Sequence, residues 1–180
     1  LYGRLSGGGG YGDPLDRDPE LVLKDVLAGL VTEKAARDVY GVVVNAGVGV
    51  VEKGATGKLR SSFRAERLGG KMPMANTTER AEILRTPRRI NEYLQVAGKG
   101  EKSFVQCTWC GESICQANAS WKDHAVARKS PLTRSGPLRA DTDRFFLQEY
   151  FCPGCATMLD VEMTLQDDQP LYDEITRWPE

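Results

Sequence analysis

Histidine is almost missing from this chain: His124 is the single one among 180 residues. With no partner nucleophile near it in sequence, His124 is expected on the surface or in packing rather than in catalysis. A basic excess is missing too. Lys plus Arg number 24 against 25 Asp plus Glu, for a net charge of -1 and a pI near 6.0. That balance argues against a dedicated nucleic-acid binder and against a membrane-surface protein. Long apolar runs are absent as well. The longest, Val42–Val51, is interrupted by Asn45, Gly47 and Gly49, and crossing a bilayer takes about 20 apolar residues. No basic-then-apolar leader is present, so the expectation is a soluble, cytoplasmic protein without membrane contact. Leu1 and the residues after it read as the interior of a longer polypeptide.

What the chain does have is enough apolar material for a core, at 41%, and length for one ordinary domain or two small ones. It also has five cysteines, all beyond residue 106. Four form two pairs, Cys107-Thr-Trp-Cys110 and Cys152-Pro-Gly-Cys155. A tetrahedral zinc ion takes four such ligands, with sulfur at about 2.3 Å. Two intervening residues let a tight turn aim both sulfurs at one ion, and two such turns close the shell. The turn chemistry agrees: Gly111 follows the first pair, and Pro153-Gly154 sits inside the second. Strand-like segments flank both: Phe104–Gln106 and Ser113–Gln116 around the first, Phe145–Phe151 and Thr157–Met163 around the second. This pattern predicts an antiparallel zinc ribbon with Cys107, Cys110, Cys152 and Cys155 as ligands. A closed thiolate shell leaves no position for water, so the zinc is expected to be structural. A redox pair lacks its βαβ context, and a disulfide framework lacks an export signal. Cys115 is expected to be a buried free thiol, with replacement of Cys107 as a ligand the alternative.

The amino-terminal third carries helix signals. Asp18 suits a cap, Pro19 the first helical position, and Val22, Leu23, Val26, Leu27 and Leu30 a continuous apolar stripe. Thr32 predicts a cap for a second helix over Glu33–Tyr40. Val42–Val44 and Val48–Val51 predict a hairpin, and Thr56 a cap for a third helix over Gly57–Leu68 with Leu59 and Phe63 facing inward. Two glycine motifs suggest phosphate binding and fail. The run Gly7–Gly10 lacks the Lys-Ser/Thr of a P-loop, and after Gly57-Lys58 comes Leu59 where Ser or Thr would hold magnesium. No nucleotide site is expected. About 65 residues rich in glycine bury too little area to stand alone, so this segment is expected to pack on something larger.

Residues 68–102 read as a connector with short helices, one capped by Thr78 and another starting at Thr86-Pro87 and carrying Ile90, Tyr93, Leu94 and Val96. From Lys58 to Lys102 there are eleven basic residues against five acidic ones, and from Glu149 to Glu180 eight acidic residues against one arginine. Such asymmetry suits docking between subunits. The segment Lys122–Arg144 is read as a loop with a modest basic excess, too weak for nucleic-acid binding. No repeat is evident.

Two family resemblances rest on particular residues. The run 7–20, Gly-Gly-Gly-Gly-Tyr-Gly-Asp-Pro-Leu-Asp-Arg-Asp-Pro-Glu, with Asp25-Val26, Gly29-Leu30-Val31, Ala35-Ala36-Arg37 and Tyr40-Gly41-Val42-Val43, resembles the extreme carboxyl terminus of the hydantoinase B/oxoprolinase family over residues 1–67. The run Cys110-Gly-Glu-Ser-Ile-Cys115, with Trp121-Lys122-Asp123 and the stretch Glu149–Glu162, resembles the small zinc subunit of acetone and acetophenone carboxylases over about 98–175. That family also shows a closer Cys-x-Cys spacing at the first turn, which keeps Cys115 beside Cys107 as a candidate.

Together these imply an α+β fold: a helical and hairpin extension (1–67), a connector (68–102) and a small antiparallel zinc-ribbon domain (103–180). They imply a zinc-bearing structural region of an ATP-dependent ketone carboxylase complex with hydantoinase A-like and hydantoinase B-like partners. ATP and any further metal would be used by those partners, and this chain would supply no catalytic residue. A component of a hydantoinase/oxoprolinase-type amidohydrolase is the alternative, followed by a stand-alone zinc-ribbon adaptor and, last, a nucleic-acid module.

Overall fold

A computed structural model describes residues 12–73, 88–135 and 143–168. The glycine run, the Thr78-capped helix and most of the acidic tail lie outside the described residues. The chain divides into two compact units, with the boundary between Arg60 and Ser61. Helices and antiparallel sheets together make it α+β.

In the first unit, Asp18 caps helix α1 (Pro19–Leu27) by accepting from the Glu20 amide at 2.8 Å, with Pro19 in the first turn. Thr32 caps α2 (Glu33–Asp38) through the Ala35 amide. A hairpin follows, β1 (Val44–Asn45) with β2 (Val50–Val51). Val22, Ala36 and Val42 form the core, with Val26, Val31, Tyr40, Val44 and Val51 against it. The stripe foreseen on α1 is only half used. Val22 and Leu23 are buried, whereas Leu27 and Leu30 are exposed, because Gly29 turns the chain at positive φ before the stripe closes.

Helix α3 spans Lys53–Arg67, four residues earlier than expected. The Glu52 carbonyl accepts from the Thr56 amide, so the helix is under way before Thr56. The Thr56 hydroxyl, assigned from sequence to a cap, instead accepts the Val43 amide at 3.0 Å. Arg60 donates to the carbonyls of Tyr40 and Arg17.

The second unit contains two three-stranded antiparallel meanders. One runs β3 (Leu94–Ala97), β4 (Phe104–Cys107), β5 (Ser113–Gln116); the other β6 (Val126–Pro131), β7 (Phe145–Phe151), β8 (Met158–Leu165). Two corrections follow. The helix expected beyond Thr86-Pro87 is not formed: Leu94, Gln95, Val96 and Ala97 are all buried in a strand paired on β4. A helix would have presented only one face, and burial on both faces suits a strand here. The segment Lys122–Arg144 is not simply a loop, since it contains β6, paired with β7 from Val126↔Phe151 to Pro131↔Phe146.

Each meander places its cysteine pair in the turn between its second and third strands, and each has a register shift just before that turn, at Val105/Gln106 and at Tyr150/Phe151. The structure thus repeats an arrangement that the sequence shows only as two Cys-x-x-Cys turns. The core gathers Tyr93, Leu94, Val105, Ile114, Trp121, Tyr150 and Leu159 around the four cysteines. Trp121 meets Tyr150 edge to face at 5.8 Å.

Candidate metal centre

The cysteine turns are built by the same backbone bonds. The Cys107 amide donates to Glu112 O, and the Gly111 amide returns to Cys107 O, both at 2.9 Å. In the second turn the Cys152 amide donates to Thr157 O, and the Ala156 amide returns to Cys152 O, again at 2.9 Å. Each turn therefore closes on itself without help from the other. Tyr93 O accepts from the Thr108 amide and Glu92 O from the Thr108 hydroxyl, tying the first turn to the approach of β3.

Cys107, Cys110, Cys152 and Cys155 lie with their sulfurs all within 4.8 Å of one another, and all four are buried. Four sulfurs held at about 2.3 Å from a tetrahedral centre lie about 3.8 Å apart. The measured Cys107–Cys155 and Cys110–Cys152 separations are 3.9 and 3.7 Å. None of the five cysteines is in a disulfide. The donor set and its spacing thus suit a four-coordinate, thiolate-liking metal ion, with nothing but sulfur to hold it.

Electrostatics follow from crowding. Hydrogen bonds from Cys107 first, then from Cys152, hold Cys110 below the ordinary thiol range, and bonds from Cys107, Cys110 and Cys152 do the same for Cys155. The mirror effect, with the proton kept on the donor, pushes Cys107 and Cys152 well above it. Thr157 Oγ1 lies 3.2 Å from Cys155 Sγ and adds to the lowering there. A divalent cation bound among the four sulfurs would take the place of their protons.

Cys115 stands apart from the four. It is half-buried on β5, and its thiol donates to Ala119 O at 3.7 Å. Burial, then the Asp123 charge, pushes its thiol up. His124 ends a short 3-10 turn (Trp121–Asp123) and is exposed.

Sequence reasoning missed a second cluster. Lys122, counted as part of a basic loop, is buried, with a side chain 2% exposed. It pairs with Glu162 and, at 3.2 Å, with Asp160 on β8, and its ammonium lies 5.4 Å from both the Trp121 and Tyr150 rings. Glu149 is likewise buried, taking bonds from Arg128 at 3.0 Å and from Ser130. Two of the acidic residues read as a docking bias, Glu149 and Glu162, are used inside the fold. The alternation of acidic residues with apolar ones along β8, with Asp160 and Glu162 two apart, was the available signal.

Two cysteine-bearing β-hairpins closing one thiolate cluster define a small α+β module positioned to bind a metal. The acetone carboxylase gamma subunit family matches residues 87–176, half of the chain, and the chain belongs to that family. Relatives extend the likeness. The acetone carboxylase alpha subunit of Xanthobacter autotrophicus is 43% identical over 86 residues, covering 44% of this chain and 11% of that protein. The acetophenone carboxylase delta subunit of Aromatoleum aromaticum is 46% identical over 56 residues, 31% of this chain and 8% of its own. The B component of a putative D-/L-hydantoinase from a Pseudomonas species is 54% identical over 37 residues, 21% and 6% respectively. The chain therefore spans only about a tenth or less of the length of these relatives. No helix among the described residues is long and apolar enough to cross a membrane.

Proposed function

We propose that this chain is a zinc-bearing structural part of an ATP-dependent ketone carboxylase complex. The observation that carries the reading is a buried four-cysteine cluster inside a module of the acetone carboxylase gamma subunit family. Zinc is the ion of choice because four thiolates in tetrahedral array satisfy it without geometric strain and without redox change. Cys107, Cys110, Cys152 and Cys155 would hold it, in a zinc-ribbon fold. The ion would supply cross-linking between the two hairpins and no chemistry on substrate, since four protein ligands leave no open position.

On this reading the chain is not catalytic by itself. Residues 1–67 act as a hydantoinase B-like carboxyl-terminal segment, 68–102 as a connector and 103–180 as the metal module. Hydantoinase A-like and B-like subunits are the cytoplasmic partners, and they use ATP and any additional metal. The relatives named as carboxylase subunits support the partnership. The hydantoinase relative favours a second reading, a component of an ATP-dependent ring-opening amidohydrolase.

The test is purification of the intact assembly from its source, with native mass spectrometry, metal analysis and ATP-dependent turnover read together. Large partners, one zinc per copy of this chain and ATP-dependent incorporation of bicarbonate into a ketone support the first reading. ATP-dependent hydrolysis of cyclic amides with the same partners selects the second. A partnerless zinc protein overturns both in favour of an adaptor.

A further inference from the structure

The second cysteine turn is gripped from outside by the carboxyl-terminal end of α3. Arg64 donates to Cys155 O at 3.1 Å and to Thr157 Oγ1 at 3.3 Å. Arg67 donates to Ala156 O at 2.9 Å, is itself buried, and lies with its guanidinium 4.8 Å from the Phe151 ring. Thr157 is fully buried, and its hydroxyl is 3.2 Å from Cys155 Sγ. At the first turn, Gln106 Nε2 donates to Gly111 O.

The direction of these bonds matters. A guanidinium is a donor only, so the contact from Arg64 occupies a lone pair of Thr157 Oγ1. With its proton on, the Cys155 thiol donates to Thr157 Oγ1 at 3.2 Å; once that proton is lost, the hydroxyl turns its own proton along the same contact, toward Cys155 Sγ. Four thiolates around a divalent ion carry a net charge of -2, and a buried excess charge is costly unless neighbouring donors and cations answer it. Two guanidinium groups anchored on the Cys155 and Ala156 carbonyls place positive charge beside the cluster, and the oriented hydroxyl bonds one thiolate directly.

We propose that Arg64, Arg67 and Thr157 are positioning residues for the metal: Arg64 sets the Thr157 hydroxyl to donate to the Cys155 thiolate, and both arginines offset the cluster's negative charge. The proposal rests on the four-cysteine reading above. It also implies reciprocity, because what stabilises the loaded state is itself stabilised by loading. Metal occupancy therefore tightens the last two turns of α3.

The experiment compares wild type with Thr157→Val, Thr157→Ser, Arg64→Met and Arg67→Met in the full chain. Zinc affinity is read by chelator competition, the cobalt(II) thiolate charge-transfer band by absorption, and residues 61–67 by hydrogen exchange with and without zinc. Loss of an outer hydrogen bond to a metal ligand costs about 10–100-fold in affinity. Thr157→Val, Arg64→Met and Arg67→Met are expected within that range. Thr157→Val and Arg64→Met are expected to shift the cobalt band to lower energy, and Thr157→Ser to restore it. Removing zinc is expected to speed exchange at 61–67. Val96→Ala, which opens a cavity on the β3 strand, serves as the stability control: it lowers stability, any affinity it loses measures what destabilisation alone does, and its cobalt band stays in place. Loaded variants with wild-type affinity and band overturn this proposal alone. Wild type that takes up neither zinc nor cobalt overturns the metal reading and the proposal together.

Discussion

Gly111 and Ala156 occupy the same position in the two cysteine turns. Each lies four residues after the first cysteine of its pair, each returns its amide to that cysteine's carbonyl, and both have positive φ, 79° and 60°. Ala156 is the one non-glycine in that region among the described residues. A side chain there costs about 1–2 kcal/mol, and Ala156 retains its methyl fully buried.

The two positions should respond differently to exchange. Gly111→Ala is expected to lower stability by about 1 kcal/mol. Ala156→Gly trades relief of strain against a lost buried methyl of about 0.8 kcal/mol, and should stay close to neutral. Thermal unfolding of the metal-loaded protein measures both. A large loss from Ala156→Gly would show that the methyl outweighs the strain.

Cysteine replacement separates the four from the fifth. Cys152→Ser is expected to abolish zinc binding and the cooperative transition of the second unit, since metal affinity and folding are one equilibrium. Cys115→Ser should retain one zinc and its transition. In the loaded protein Cys115 alone should alkylate, slowly at pH 7 because its thiol is pushed up, and faster as pH rises or with Asp123→Asn.

Metal affinity should rise with pH, because binding releases thiol protons. Cys110 and Cys155 are held low and Cys107 and Cys152 high. The sign is a gain in affinity as pH rises and loss of metal as pH falls. Calorimetry in buffers of different ionisation heat counts the protons released; an affinity independent of pH would contradict proton release on binding.

Lys122 and Glu162 form a buried pair, and removing Lys122 leaves the Glu162 carboxylate buried without that cation. Lys122→Met is expected to cost about 3–5 kcal/mol, with much of that regained in the double variant Lys122→Met/Glu162→Leu. Denaturant midpoints of the two variants give the comparison. Equal losses would assign the cost to packing against Trp121 and Tyr150 instead of charge.

The β3–β4 connection offers a contrast between two glycines. Both Gly98 and Gly100 have positive φ, but a methyl on Gly98 would meet Lys102 O at 2.3 Å, while nothing lies within 4 Å of one on Gly100. Gly98→Ala should therefore destabilise clearly more than Gly100→Ala, which carries conformational strain alone of about 1–2 kcal/mol. Parity between them in thermal unfolding would mean that the hairpin yields at Lys102.

Local chemistry determined much of this protein from sequence alone. Asp18-Pro19 and Thr32 name helix starts because caps and proline act within a turn. Two Cys-x-x-Cys spacings name four sulfurs that share a site, because a two-residue gap fixes where both point. What only the tertiary structure decided depends on distant partners. Leu94–Ala97 is a strand because β4 supplies its ladder and both its faces are covered, which no local pattern of four residues reveals. Thr56 serves Val43 rather than capping, because the hairpin brings that amide to it. Lys122 is internal because Glu162, forty residues later, neutralises it. Arg64 and Arg67 read as ordinary basic residues at a helix end until the second cysteine turn is seen to deliver the Cys155, Ala156 and Thr157 oxygens to them. A periodicity reports which face of an element is apolar; it carries no information on which remote carbonyl, carboxylate or strand will meet that face.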